Sequence, residues 1–322
     1  MKKILLSLIL LSVTLSTTFA QDKEAAPHWD YSLTTDIVVY PLPDFIPGES
    51  HYSKIVGYDL SAFRITGAAD YVIPTPLGEH WLLSDAFVQI EPAVEFTAVS
   101  LKGIFSTTFQ PVPFLEFQAG ASIGTGWNFG SVNAFQSYNE NTNKYENLTP
   151  FKNYYYELWG KGTFMFDTGA LIPGDWTHVV MLAEYKLMYS GMTGLQKNQP
   201  FNWLTAPGQM NGLQYDTQFI LAYQMPLVVY RAGSMFEFYG HYNGNDYGKY
   251  NESFNGEFTT AKISPFVQFK FNEKNTVTFL TEFSTRRSFA EDHNSILEEM
   301  PLHHSGNEWF INFFGVSWTY NF

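Results

Sequence analysis

The chain is 322 residues long, contains no Cys and carries a formal net charge of −13 at pH 7, which excludes disulfides and thiolate metal sites and weighs against nucleic acid, whose phosphates need a basic surface. Aromatic residues make up 18% of it and charged residues only 15%, whereas roughly a quarter of an ordinary soluble domain is charged. Mean hydropathy is nevertheless slightly negative, the combination produced when lipid-facing and water-facing side chains alternate along a strand.

At the amino end, Met1-Lys2-Lys3 is basic, Ile4 to Leu15 is apolar and Thr18-Phe19-Ala20 offers a small-residue cleavage site before Gln21. This pattern predicts a secretory signal peptide over residues 1–20, then a short periplasmic segment over 21–28. The apolar run is too short to span a bilayer, and no later stretch supplies the roughly 20 apolar residues a membrane helix needs. Export without such a helix leaves periplasmic, secreted and barrel proteins as the classes to separate.

From Trp29 onward the period is two, the signature of strands. Trp29, Tyr31, Leu33, Thr35, Ile37 and Val39 alternate with Asp30, Ser32, Thr34 and Asp36 in the first predicted strand. Further strands are predicted over 58–72, 86–96, 99–109, 115–127, 154–166, 177–189, 213–225, 227–242, 258–271, 277–285 and 309–322. The join near residue 98 is kept as a break, because fusing its two strands would give an odd count and put the chain ends on opposite sides of the membrane. Connections built on Pro74 to Gly78, Gln110 to Pro113, Pro173-Gly174, Pro226 and Asn272 to Asn275 read as short turns, and polar stretches such as 128–153, 190–212 and 287–306 as long loops. Short turns on the periplasmic side and long loops outside are the habit of outer-membrane barrels. The expected architecture is all-β: an antiparallel up-and-down transmembrane barrel of about twelve strands over 29–322. A soluble exported β-sandwich that binds ligands is the alternative.

The last strand carries Phe314, Val316, Trp318, Tyr320 and Phe322 on one face, with Gly315, Ser317, Thr319 and Asn321 between them. It resembles the C-terminal assembly signal of bacterial outer-membrane barrel proteins. That resemblance implies the barrel-assembly machinery and outer-membrane lipid or lipopolysaccharide as partners. Tyr71, Trp127, Tyr154, Tyr189, Tyr223 and Tyr320 fall near strand ends, where amphipathic rings form belts at the water boundaries.

The opposite parity predicts the lumen wall: Asp36, Asp59, Arg64, Asp70, Glu91, Glu95, Lys102, Glu116, Glu157, Lys161, Glu184, Lys186, Asp216, Arg231, Glu237, His241, Lys262, Lys270, Glu282 and Arg286. A barrel of about eight strands is just filled by its side chains, and one of about sixteen leaves a channel. Twelve strands therefore allow either a narrow passage for small polar solutes, with acids favouring cations, or a polar interior of ion pairs in a structural, surface-exposed barrel.

Catalytic readings are weaker. Phe238-Tyr239-Gly240-His241-Tyr242-Asn243-Gly244 resembles the His-x-Ser-Asn-Gly segment of the outer-membrane phospholipase family, but no Ser stands where the nucleophile is needed. Glu291-Asp292-His293 resembles the acidic-x-His pairing of the omptin proteases, but lacks an evident partner carboxylate pair. His303 and His304 are neighbours, and adjacent side chains on an extended chain diverge instead of chelating. No phosphate loop or nucleophile elbow is present. A non-enzymatic protein without cofactor or metal is expected.

Overall fold

A computed structural model describes residues 26–80, 82–130, 132–204 and 206–322. The expected leader lies outside the described residues. Twelve long strands account for the barrel: β1 (His28–Pro43), β2 (Ile55–Pro74), β3 (Phe87–Thr97), β4 (Ser100–Val112), β5 (Leu115–Gly126), β6 (Tyr155–Asp167), β7 (His178–Met192), β8 (Gly212–Gln224), β9 (Val229–His241), β10 (Thr260–Lys270), β11 (Asn275–Phe289) and β12 (His304–Asn321). Each pairs antiparallel with its neighbour in sequence, and β12 pairs with β1 from Ser32 opposite Asn321 to Val39 opposite Phe314. The Phe322 N–H donates to the Tyr31 carbonyl at 3.0 Å, which completes the seam. Closure leaves no edge of unpaired backbone groups, the condition for a sheet to survive in hydrocarbon. The sandwich alternative is thereby overturned.

Strand parity explains which side faces which solvent. Ile37, Phe63, Val94, Phe105, Phe117, Ile123, Leu158, Phe164, Phe219 and Phe279 stand exposed on the outer wall. Inward neighbours such as Asp36, Arg64 and Ser122 are buried. An apolar exterior around a polar interior inverts a soluble protein and matches a bilayer. Aromatic contacts ring both rims: Trp29 against Tyr71 at 4.8 Å and Trp318 beside Tyr320 at one end, Trp127 on Phe151 at 5.6 Å and Tyr156 on Tyr189 at the other. Among the described residues no helix is long and apolar enough to cross a membrane. The fold and its surface are those of a bacterial outer-membrane β-barrel.

The join near residue 98 is a hairpin, with Phe96 opposite Leu101. Loop lengths follow the expected alternation with exceptions on both sides. Residues 98–99 make a very short connection at the end that otherwise carries long loops, and 75–86 and 168–177 are longer than the tight turns expected at the other end. In β12 the outward alternation stops at Phe314, because a bulge makes Glu282 face Phe313 and Phe283 face Ile311. Asn312 is the extra residue, so both it and Phe313 turn inward.

Above the barrel the long loops are not loose. Phe135–Asn139 and Lys144–Asn147 from the β5–β6 connection join Phe201–Trp203 and Ala206–Gln209 from the β7–β8 connection in a four-stranded sheet. Val99, Ala134, Phe135, Tyr155, Met192, Phe201, Trp203 and Leu204 form one buried cluster that includes residues of this sheet, and Tyr138, Met210, Tyr247, Tyr250, Phe254, Phe289 and Met300 another. Trp203 stacks on Phe135 at 4.7 Å and on Tyr155, an inward residue of β6, at 5.2 Å. A folded lid thus occupies the loop end.

Candidate functional site: the lumen

The interior has two unlike halves. From β8 round to β1, Ile220 and Ala222 of β8 join Met235 and Phe266 in one apolar cluster and Val38, Tyr40, Phe310 and Phe313 form another, with Leu280 packed against both. Beside this layer Lys262 reaches Glu237 at 2.8 Å and Glu282 at 3.7 Å, and Asn312 donates to Glu282 at 2.6 Å. The Lys262 and Glu237 side chains are each only 2% exposed. Charges so deeply placed are tolerated only where they are paired.

The β3–β8 side is looser. Lys161 reaches Glu184 at 2.9 Å, with side chains 22% and 18% exposed. Glu157 accepts from Ser122 at 2.8 Å and from the Tyr155 hydroxyl at 3.1 Å. Gln89 donates to Asp70 at 2.8 Å. Glu91, Glu116 and Asp216 make no hydrogen bond or ion pair among the described residues, and all three are half-buried. Carboxyl groups without a protein partner at such positions need either water or a bound proton at their oxygens.

Between the two halves runs a chain of pairs. Arg64 contacts Asp36 at 2.8 Å and Glu95 at 3.4 Å, and Lys102 contacts the other oxygen of Glu95 at 3.4 Å. Other predicted wall residues sit nearer the rims. Arg231 is fully buried, donates to Gln224 at 2.6 and 3.0 Å and lies over the Tyr230 ring. Lys270 pairs with Glu273 in the following turn. Asp59 falls where the β1–β2 register slips between Val39 and Pro41, beyond the span in which alternation fixes a face.

At the loop end, Arg286 grips Glu308 at 2.7 and 2.8 Å, and Ser53 donates to the same carboxylate. Arg286 also lies 3.9 Å from Glu299, which pairs with His293 at 3.4 Å. The Glu291 to His293 segment is thus not a wholly solvated run of loop charges, for the His293 side chain is only 4% exposed. Rings of Phe45 and Phe289 meet it edge to face, and Glu291 instead pairs with His303 at 2.6 Å. His241 Nδ1 lies 3.1 Å from Asp246, while its Nε2 faces the Gln214 amide at 3.2 Å. Its partners are thus Asp246 and Gln214, and Glu237 is engaged by Lys262.

Sequence reasoning passed over Trp159, Glu299, Glu308 and the apolar inner layer. For Trp159 the signal was present: it shares parity with Glu157 and Lys161 on β6, so an indole projects among lumen charges. On the outer face of β12, Phe314, Val316, Trp318 and Phe322 are exposed and Tyr320 is half-buried.

No family model and no curated protein matches the chain. Among solved structures, the β domain of the Bordetella autotransporter BrkA superposes with TM-score 0.48 at 9% identity, covering 91% of this chain and 99% of that one. An outer-membrane channel of Pseudomonas putida F1 gives 0.45 at 8%, covering 91% and 96%. The outer-membrane channel DcaP of Acinetobacter baumannii gives 0.38 at 10%, covering 93% and 99%.

Proposed function

We propose that the chain is an outer-membrane channel for small polar solutes, with a preference for cations, closed on the outside by its loop lid. The route is the hydrated side of the lumen along β3–β8. The observation that carries this reading is the contrast between the two walls: Lys161 and Glu184 keep 22% and 18% of their side-chain surface, against 2% for Lys262 and Glu237. A barrel serving only as a rigid surface protein has no need of a hydrated wall with three unpaired acids. Glu91, Glu116 and Asp216, once ionised, give that wall a negative potential, which draws cations and repels anions. The outward aromatic face of β12 is read as the assembly signal, and Arg64, Glu95 and Lys102 as the fixed charges beside the route.

The test is planar-bilayer recording of the refolded barrel in a KCl gradient. Small conductance steps with a cation-selective reversal potential support the reading. A silent bilayer with both the intact protein and a variant lacking residues 130–147 of the lid overturns it.

A further inference from the structure

Lys161 and Lys186 stand directly opposite each other across β6 and β7. Like charges placed so repel, and the two separate: Lys161 turns to Glu184. Among the described residues Lys186 closes no ion pair, although Asp216 is its direct partner across β7 and β8. Its ammonium lies instead 5.0 Å from the centre of the Trp159 ring.

That ring is positioned for the purpose. Gly120 faces Trp159 across β5 and β6, and any Cβ on Gly120 would run into the indole's six-membered ring and the Phe105 carbonyl. With only a glycine beneath it, the indole lies against the wall, and its Nε1 points at Gln118 Oε1, 3.5 Å away. One face covers backbone and the other carries an ammonium, whose attraction to the ring quadrupole is strong where water is scarce.

We propose that the lumen face of Trp159, together with Asp216, is a binding site for small organic ammonium ions, and that Lys186 is its tethered occupant, displaced when a diffusing ammonium arrives. The inference deepens the channel reading and rests on it for the route by which the solute enters. An ammonium fits better than a neutral sugar because Asp216 stands opposite Lys186 and an ammonium already occupies the face.

The experiment titrates the refolded full-length barrel in detergent with ethylammonium chloride, using NaCl at equal ionic strength as control. The readout is Trp159 emission, taken as wild type minus W159F, with both proteins first shown to be folded by heat-dependent gel mobility. A saturable change specific to ethylammonium is expected, with affinity rising about fivefold in K186Q, where the tethered competitor is gone. No saturable change in either wild type or K186Q overturns the site, and equal or weaker binding by K186Q overturns the tethered-occupant role. A conducting barrel without the emission change defeats this inference and leaves the channel reading intact. An emission change in a barrel that never conducts does the reverse.

Discussion

Gly120 and Trp159 face each other across β5 and β6, and the absence of a side chain at the first is what lets the indole of the second lie against the lumen wall. G120A adds a methyl group where the ring and the Phe105 carbonyl already stand. Overpacking of this kind costs about 1–3 kcal/mol, so the urea midpoint of the barrel in lipid vesicles is expected to fall. The double variant G120A/W159L removes the obstacle and should recover most of the loss. If G120A unfolds at the wild-type midpoint, the ring is not held as described.

A second expectation concerns the buried pair at the packed wall. K262M leaves Glu237 and Glu282 inside the barrel without their shared counter-ion, and removing one partner of a buried pair costs about 3–5 kcal/mol. E237Q/K262M/E282Q removes all three charges and should restore much of the stability. Unfolding monitored by heat-dependent gel mobility distinguishes the two. Equal loss in the single and triple variants would show that shape, and not charge, holds this region.

The barrel was legible in the chain because each strand obeys one rule over many residues: outward apolar, inward polar. Phe314 to Phe322 shows that rule at its clearest, and the break near residue 98 followed from the need for an even strand count. The rule fails where the backbone departs from it. At Asn312 a bulge shifts parity, so Phe313 enters the lumen next to Val38 and Tyr40, and nothing in the local composition announces that shift. Inward Phe266 and Met235 were also overlooked, since a lumen was expected to be polar and a packed half-lumen is not. The lid was hidden for another reason. Its strands are very short and pair across distant loops, as when Phe201 meets Ser137, so no single window carries a period.

The lid makes a functional expectation testable. Trp203 fills the space above Gly124, beside the Lys102 stem, and stacks between Phe135 and Tyr155. W203A removes the ring that joins the four-stranded sheet to the inward wall, a truncation that costs about 3–5 kcal/mol when fully buried. Because the twelve strands do not depend on it, the barrel should still form while the lid detaches. Single-channel recordings are expected to show longer or larger openings than wild type. Unchanged openings in a folded W203A barrel would mean that this contact does not hold the outer mouth shut.

The final expectation concerns pH at the same rim. Burial alone pushes the His293 imidazole down, but the hydrogen bond and negative charge of Glu299 outweigh both that and the opposing charge of Arg286, so its pKa stands above the ordinary range. The folded loop therefore favours the protonated ring. Its contribution to loop stability is complete below the ordinary histidine value of about 6.5 and is lost as pH rises through the raised folded value. Hydrogen exchange in residues 290–303 should consequently be slowest under mildly acidic conditions, after correction for the intrinsic rate, and should quicken toward alkaline pH. H293Q keeps a polar side chain but cannot carry the charge, so its corrected exchange should be flat over the same interval. A wild-type loop whose corrected protection does not change with pH would show that Glu299 is held by Arg286 alone, and that His293 merely fills the space between Phe45 and Phe289.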